Sequence, residues 1–125
     1  MRFEEYSSYD ALGLAALIAS GDVSAQEVEA CARQAIQDKN PTLNAVLAAV
    51  ENQSYAQDQP FSGVPFLIKE LVLHAAGAPS RAGSRAVPNI PADTDTNLMQ
   101  RFRAAGFHLV GTTQTPEAGY NATTE

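Results

Sequence analysis

The segment FSGVPFLIKELVL, residues 61–73, is the most strand-like part of the sequence, because aromatic and β-branched side chains follow a glycine. It predicts a buried β-strand from about Pro65 to Lys69. A second apolar segment, FHLVG at residues 107–111, predicts another strand, and a helical pattern over about 95–105 lies between the two. A strand, a crossing helix and a second strand form a βαβ unit whose strands are parallel. The sequence therefore predicts an α/β fold.

Two helices are predicted before this unit. The first covers about residues 10–19, with Asp10 as its N-cap and Gly21 just beyond its end. The second begins at the capping box SAQE, residues 24–27, and is expected to stop at residues 40–41, because a proline there disrupts helical hydrogen bonding. The chain thus starts with two amphipathic helices.

The remaining elements have weaker patterns. In the helix of the βαβ unit, Leu98 and Phe102 are expected on the apolar face, and Gly106 follows the helix end. The run VLAAV at residues 46–50 is too short for its periodicity to distinguish a strand from the start of another helix. Both interpretations of that run stay open.

Composition narrows the class of protein. The chain has 125 residues, of which 45% are hydrophobic, and a net charge of −6, which fits one soluble domain at most. An acidic chain is a poor nucleic-acid binder, because phosphate groups require a basic face. Lys69 interrupts the strongest apolar run, so no membrane span is expected, and the acidic N-terminus does not resemble a secretory signal. The single cysteine favours a cytoplasmic protein.

The possible metal ligands do not form a cluster in the sequence. Cys31 lies on the apolar stripe of the second helix and is expected to be a small buried core residue. His108 is expected in the core or at the edge of the sheet, and His74 is expected to be exposed in a loop. We therefore predict no metal site and no internal disulfide.

Residues 74–93 are rich in Ala, Gly, Pro, Ser and Arg and predict a long loop, a feature that is often functional. Ser80, Arg81, Ser84 and Arg85 offer groups for an anion, but scattered loop residues of this kind are usually solvated. The loop has neither a P-loop nor a dinucleotide-binding glycine pattern. No phosphate-containing cofactor is expected.

Lys69 is the candidate for chemistry, because lysine is seldom buried and this one follows an apolar strand. Alternation places it on the same face as Leu67 and Leu71, whereas Glu70 points to the opposite face. Burial would favour the neutral amine that a general base needs. The alternative, which the pattern alone favours, is that the strand ends at Lys69 and the amine reaches water.

Five segments, taken in order, resemble the N-terminal part of the amidase signature family of hydrolases. They are NPTLNAV at 40–46, FSGVPFLIKEL at 61–71, GS at 83–84, RFRAAG at 101–106 and GTTQTPE at 111–117. The sequence at 116–125 is most similar to the branch of 6-aminohexanoate cyclic dimer hydrolases and related amidases. The resemblance covers nearly the whole chain and implies a mixed β-sheet flanked by helices.

The resemblance also implies a mechanism. In this family the lysine at the position of Lys69 is the base of a Ser, cis-Ser, Lys triad, which cleaves amide bonds through an acyl-enzyme without a metal or an organic cofactor. Gly119 and Tyr120 match positions that line the substrate channel in some members, although Tyr120 also fits a plain packing role. Glu70 and the Thr112-Thr113-Gln114 segment depart from the commoner family residues.

Residues 1–125 are therefore expected to be the N-terminal portion of a single amidase domain, truncated before the glycine- and serine-rich segment that carries both serines and the oxyanion hole. The expected substrate is a small linear or cyclic non-peptide amide. Alone, the chain is expected to be inactive. Two alternatives stay open: a non-catalytic fragment that self-associates or pairs with the missing C-terminal portion, and an amidotransferase A-type subunit that releases ammonia.

Overall fold

The computed structural model describes residues 1–51 and 53–124. Asn52, in the polar stretch before β2, and Glu125, the last residue of the 116–125 motif, lie outside the described residues. The elements in chain order are α1 (Phe3–Tyr6), α2 (Ala11–Ser20), α3 (Ala25–Leu43), β1 (Val46–Ala49), β2 (Pro65–Lys69), α4 (Asn97–Ala104), β3 (His108–Thr113) and a 3₁₀ turn (Glu117–Gly119).

The three strands form one mixed sheet in the order β1-β3-β2. Strands β2 and β3 are parallel, with Pro65 opposite His108 at one end and Lys69 opposite Thr113 at the other. Strand β1 pairs with β3 in the antiparallel direction, which settles the ambiguous run at 46–49 as a strand. The α/β fold and the predicted βαβ unit are confirmed, and β2 has the predicted bounds.

Both predicted N-terminal helices are present with their predicted caps. The Asp10 side chain accepts a hydrogen bond from the Gly13 N–H at 2.8 Å, and Ser24 caps α3. The expected stop at Asn40-Pro41 is wrong, since α3 continues to Leu43. A proline in the last turn removes only one backbone donor, and Asn44 then ends the helix in the left-handed conformation.

Helix α4 starts later than expected and buries a different residue. Thr96 is its N-cap, while Asp95 instead binds the Ala76 N–H and the Arg103 side chain. Leu98, expected on the apolar face, is exposed, and Met99 is fully buried in its place. The later start follows from the use of Asp95 in tertiary contacts.

The core has two parts. One packs Met99 of α4 against Ile68 and Leu109 of the sheet, and the other joins Leu14 and Val28 of the N-terminal helices to the chain just before β2. Cys31 is half-buried rather than fully buried, with its thiol 3.3 Å from the Met1 carbonyl oxygen. In the described parts of the chain, no helix combines the length and apolar character needed to span a membrane.

Candidate active-site region at the carboxyl end of strand β2

Lys69 is the last residue of β2, and its side chain is exposed. The residues on either side of it, Ile68 and Glu70, are 3% and 2% exposed. This pattern confirms the alternation read from the sequence and the placement of the amine at the sheet edge. In open α/β sheets, ligands bind beside the carboxyl ends of the strands. The strand therefore holds the Lys69 amine at the edge where such a site forms.

Glu70 anchors the long loop that follows β2. Its backbone N–H donates to the Thr113 carbonyl at 3.0 Å, and its Oε1 accepts a 2.8 Å hydrogen bond from the Arg81 N–H. The Arg81 Nε is buried without a hydrogen-bond partner in the described residues. A buried carboxylate next to Lys69 thus anchors the loop at Arg81.

The predicted loop residues have unequal roles. His74 and Arg85 are exposed, as expected for solvated loop residues. Ser84 is not solvated but 9% exposed, and its Oγ donates a 2.5 Å hydrogen bond to Glu117 Oε1. Sequence reasoning missed this pair, because its members are 33 residues apart and lie in two irregular segments.

Gly119 and Tyr120 lie in the 3₁₀ turn and directly after it. Gly119 has φ +71°, and a Cβ at this position would clash with Leu71 Cδ2. Only glycine combines that backbone with so close an approach to the chain after β2. Tyr120 is 96% exposed and lines, with Gly83 and Glu117, a cleft of about 620 Å³. The turn is therefore packed against the chain next to Lys69, although Lys69 does not line the cleft.

A second polar cluster, which we name the amino-edge cluster, consists of Glu29, Arg33, Tyr55 and His108. His108 Nε2 and Arg33 Nε lie 3.2 Å and 2.6 Å from the Glu29 carboxylate oxygens, and the Tyr55 hydroxyl donates to the same carboxylate. Burial and the bond to Glu29 raise the pKa of Tyr55 to about 12. His108 is buried, as the sequence predicted.

Within the described residues, no group of three or more His, Cys, Asp or Glu side chains is arranged to hold a metal ion. The polar side chains at and near the carboxyl edge include Lys69, Glu70, Glu117 and Tyr120.

Comparisons with known proteins give this geometry a family context. The Amidase family model matches residues 14–125. The chain is 35% identical over 122 residues to 6-aminohexanoate-cyclic-dimer hydrolase of Paenarthrobacter ureafaciens, covering 93% of this chain and 25% of the relative. It is 29% identical over 134 residues to the A-type subunit of the glutamyl-tRNA(Gln) amidotransferase of Salinispora tropica, covering 97% of this chain and 27% of that protein.

A solved structure of 6-aminohexanoate cyclic dimer hydrolase superposes with a TM-score of 0.86 at 35% identity, covering 94% of this chain and 26% of that one. The chain thus spans about a quarter of the length of the relatives that it matches.

Proposed function

This chain belongs to the amidase family, and from that membership we propose that it is part of an enzyme that hydrolyses carboxamide C–N bonds with Lys69 as the general base. The observation that carries the proposal is the position of Lys69 at the carboxyl end of a parallel strand, with buried residues on both sides of it in the sequence. A base at this position leaves the sheet at the edge where ligands bind and is reachable by a substrate.

In the proposed reaction the neutral Lys69 amine accepts a proton, through a bridging serine, from a nucleophilic serine. The serine oxygen attacks the amide carbonyl carbon and forms an acyl-enzyme, and the amine of the cleaved substrate leaves with the proton that Lys69 had accepted. Water then hydrolyses the acyl-enzyme and regenerates the serine. In the family, both serines and the backbone N–H groups that stabilise the oxyanion come from a glycine- and serine-rich stretch that residues 1–125 do not contain.

Lys69 must be in its neutral form to act as the base. A lysine acts as a base only when its amine is neutral, and removal of water favours that form. Because Lys69 is exposed among the described residues, the proposal requires further chain to cover it in the active enzyme. The isolated 125-residue chain is accordingly proposed to be inactive.

For the substrate we propose a small non-peptide amide, linear or cyclic. This follows the name of the relative at 35% identity, a hydrolase of a cyclic amide dimer. A second candidate function is that of an A-type amidotransferase subunit that releases ammonia, which the similarity to the Salinispora tropica protein supports. A substrate panel of linear amides, cyclic amides and glutamine distinguishes the two.

The role of Lys69 is tested with the full-length protein and a fluorophosphonate, which labels activated serines. Lys69→Ala is expected to slow labelling about a thousandfold, the effect of removing a general base. Lys39→Ala is the matched control, since Lys39 is the other lysine of the chain and is also exposed. Undiminished labelling of Lys69→Ala would refute the proposal.

A further inference from the structure

Three segments meet next to the end of β2, and we call them together the clasp: residues 70–71, 81–84 and 115–119. The Arg81 N–H donates to Glu70 Oε1 at 2.8 Å, and the Ala118 N–H donates to the Ala82 carbonyl at 2.7 Å. Gly119 then packs against the Leu71 side chain. The contacts form a closed ring that runs from the strand end to the loop, to the turn and back.

The central side-chain contact of the clasp is the hydrogen bond from Ser84 Oγ to Glu117 Oε1 at 2.5 Å. Hydrogen bonds to a carboxylate are about twice as strong as neutral ones. The Ser84 Oγ also accepts from the Ala86 N–H at 3.2 Å, so its position is fixed from two sides. Ser84 is buried, whereas Glu117 lines the cleft. The bond therefore connects the buried side of the loop to the wall of the cleft.

The backbone of the clasp is held in a conformation that it would not adopt by itself. Ala82 and Ala118 have φ values of +51° and +52°, and Val72, just after the strand end, has φ +69°. Left-handed conformations are unfavourable for such residues and persist only where surrounding contacts impose them. The shape of the turn at 117–119 thus depends on the contacts that the clasp makes.

We propose that Ser84 and Glu117 are positioning residues that hold the cleft wall and Tyr120 in place beside the Lys69 edge, and so determine how tightly the amide substrate binds. The Tyr120 N–H donates to the Glu117 carbonyl, so the backbone of Tyr120 is attached to the turn that the clasp holds in place. The inference rests on the proposed function, because it assumes a reaction at Lys69. It adds a role in binding for two residues that do not take part in bond cleavage.

The test uses the full-length protein, p-nitroanilides of short acyl groups as substrates, and a fluorophosphonate as a probe of the serine and its base. Ser84→Ala and Glu117→Ala are each expected to raise KM about tenfold with kcat and the labelling rate nearly unchanged. Glu117→Gln keeps an oxygen that accepts from Ser84 and is expected to change KM less than threefold. Ser80→Ala, in the same loop, is the matched control.

The double variant separates positioning from direct contact with the substrate. Ser84 is buried and acts through Glu117, so Ser84→Ala combined with Glu117→Ala is expected to be no worse than the worse single variant. Additive effects on KM would overturn the inference, as would an unchanged KM in a folded Ser84→Ala protein. If Ser84→Ala does not fold, the KM values of Glu117→Ala and Glu117→Gln test the inference instead. Equal KM values for these two variants would overturn it.

The outcomes also distinguish this inference from the proposed function. If the wild-type protein is not labelled, or if Lys69→Ala labels as fast as wild type, the proposed function fails and the inference falls with it. If labelling depends on Lys69 but Ser84→Ala lowers kcat and labelling together with the rise in KM, only the role in positioning the substrate is refuted.

Discussion

The two ends of the parallel strand pair differ in whether their charged side chains have partners within the chain. At the amino edge, where Pro65 lies opposite His108, the charged groups of the amino-edge cluster bind one another. At the carboxyl edge, where Lys69 lies opposite Thr113, the Lys69 amine has no ion-pair or hydrogen-bond partner among the described residues. Polar groups that bind one another stabilise a fold, whereas a side chain without a protein partner at the carboxyl end of a strand can contact a ligand.

The comparison is clearest for Glu29 and Lys69, since each is a charged residue next to the sheet. Glu29 accepts hydrogen bonds from Arg33 and Tyr55, and it pairs with His108. Its side chain is 15% exposed, whereas Lys69 is exposed. We therefore expect substitution of Glu29 to affect stability and substitution of Lys69 to affect activity.

The largest expected effect on stability belongs to Glu29→Ala. It leaves Arg33, Tyr55 and His108 without their common acceptor, and hydrogen bonds to charged groups contribute about 1.5–3 kcal/mol. We expect the free energy of unfolding of the full-length protein, measured with urea, to fall by about 2–3 kcal/mol. Asp38→Ala, an exposed acid on the same helix, is the control and is expected to change it by less than about 0.5 kcal/mol. Equal losses in the two variants would show that the amino-edge cluster does not stabilise the fold.

The amino edge should also make stability depend on pH. Burial lowers the pKa of His108, against the opposite effect of Glu29. Burial acts to raise the pKa of Glu29, but hydrogen bonds from Tyr55 and Arg33 outweigh it and lower that pKa. For both groups the unfolded chain binds more protons, so stability is lost as pH falls, first below the ordinary histidine pKa of 6.5 and then below that of glutamate, 4.5.

We therefore expect the free energy of unfolding to decrease between pH 7 and pH 5.5, with a smaller slope in His108→Gln. His74→Gln, which replaces an exposed loop histidine, is the matched control for the loss of an imidazole. The measurement is urea unfolding at a series of pH values. A slope in His108→Gln as steep as in wild type would show that the amino-edge histidine does not titrate with folding.

Strand β2 and the N-caps of α2 and α3 were predictable because their signals are local. The bounds of β2 follow from a glycine, a proline and a short apolar run, and Ser24 and Asp10 are read from neighbouring residues. The local sequence did not determine the conformation of β1, since this short run becomes a strand only by pairing with β3. The start of α4 also depends on tertiary contacts, since Asp95, where the helix was expected to begin, binds the Ala76 N–H in the loop.

The candidate site was predictable only in part. Alternation predicted that Lys69 and Glu70 point to opposite faces, and the pattern left open whether the Lys69 amine is buried or reaches water; the structure buries Glu70 and exposes Lys69. The triad role proposed for Lys69 came from resemblance to a family, and its position at the strand end supports it. Tyr55 gave no signal, because it lies in a polar stretch and meets Glu29 only after folding. Contacts between irregular segments, such as Ser84 with Glu117, depend on the tertiary path of the chain.

The smallest expected effect concerns Thr112, one residue before the carboxyl edge of β3. Thr112 is 1% exposed, and its Oγ1 has no hydrogen-bond partner in residues 1–51 and 53–124. A buried hydroxyl without a partner destabilises, so Thr112→Val is expected to raise the free energy of unfolding by up to about 1 kcal/mol. Thr113→Val, which removes a long 3.4 Å bond to the Ile68 carbonyl, is the matched control and is expected to lower it by about 0.5 kcal/mol. If Thr112→Val destabilises more than Thr113→Val, the Thr112 hydroxyl has a hydrogen-bond partner in the full-length protein. That partner would then lie in chain outside the described residues, and the polar groups of the carboxyl edge would be paired like those of the amino-edge cluster.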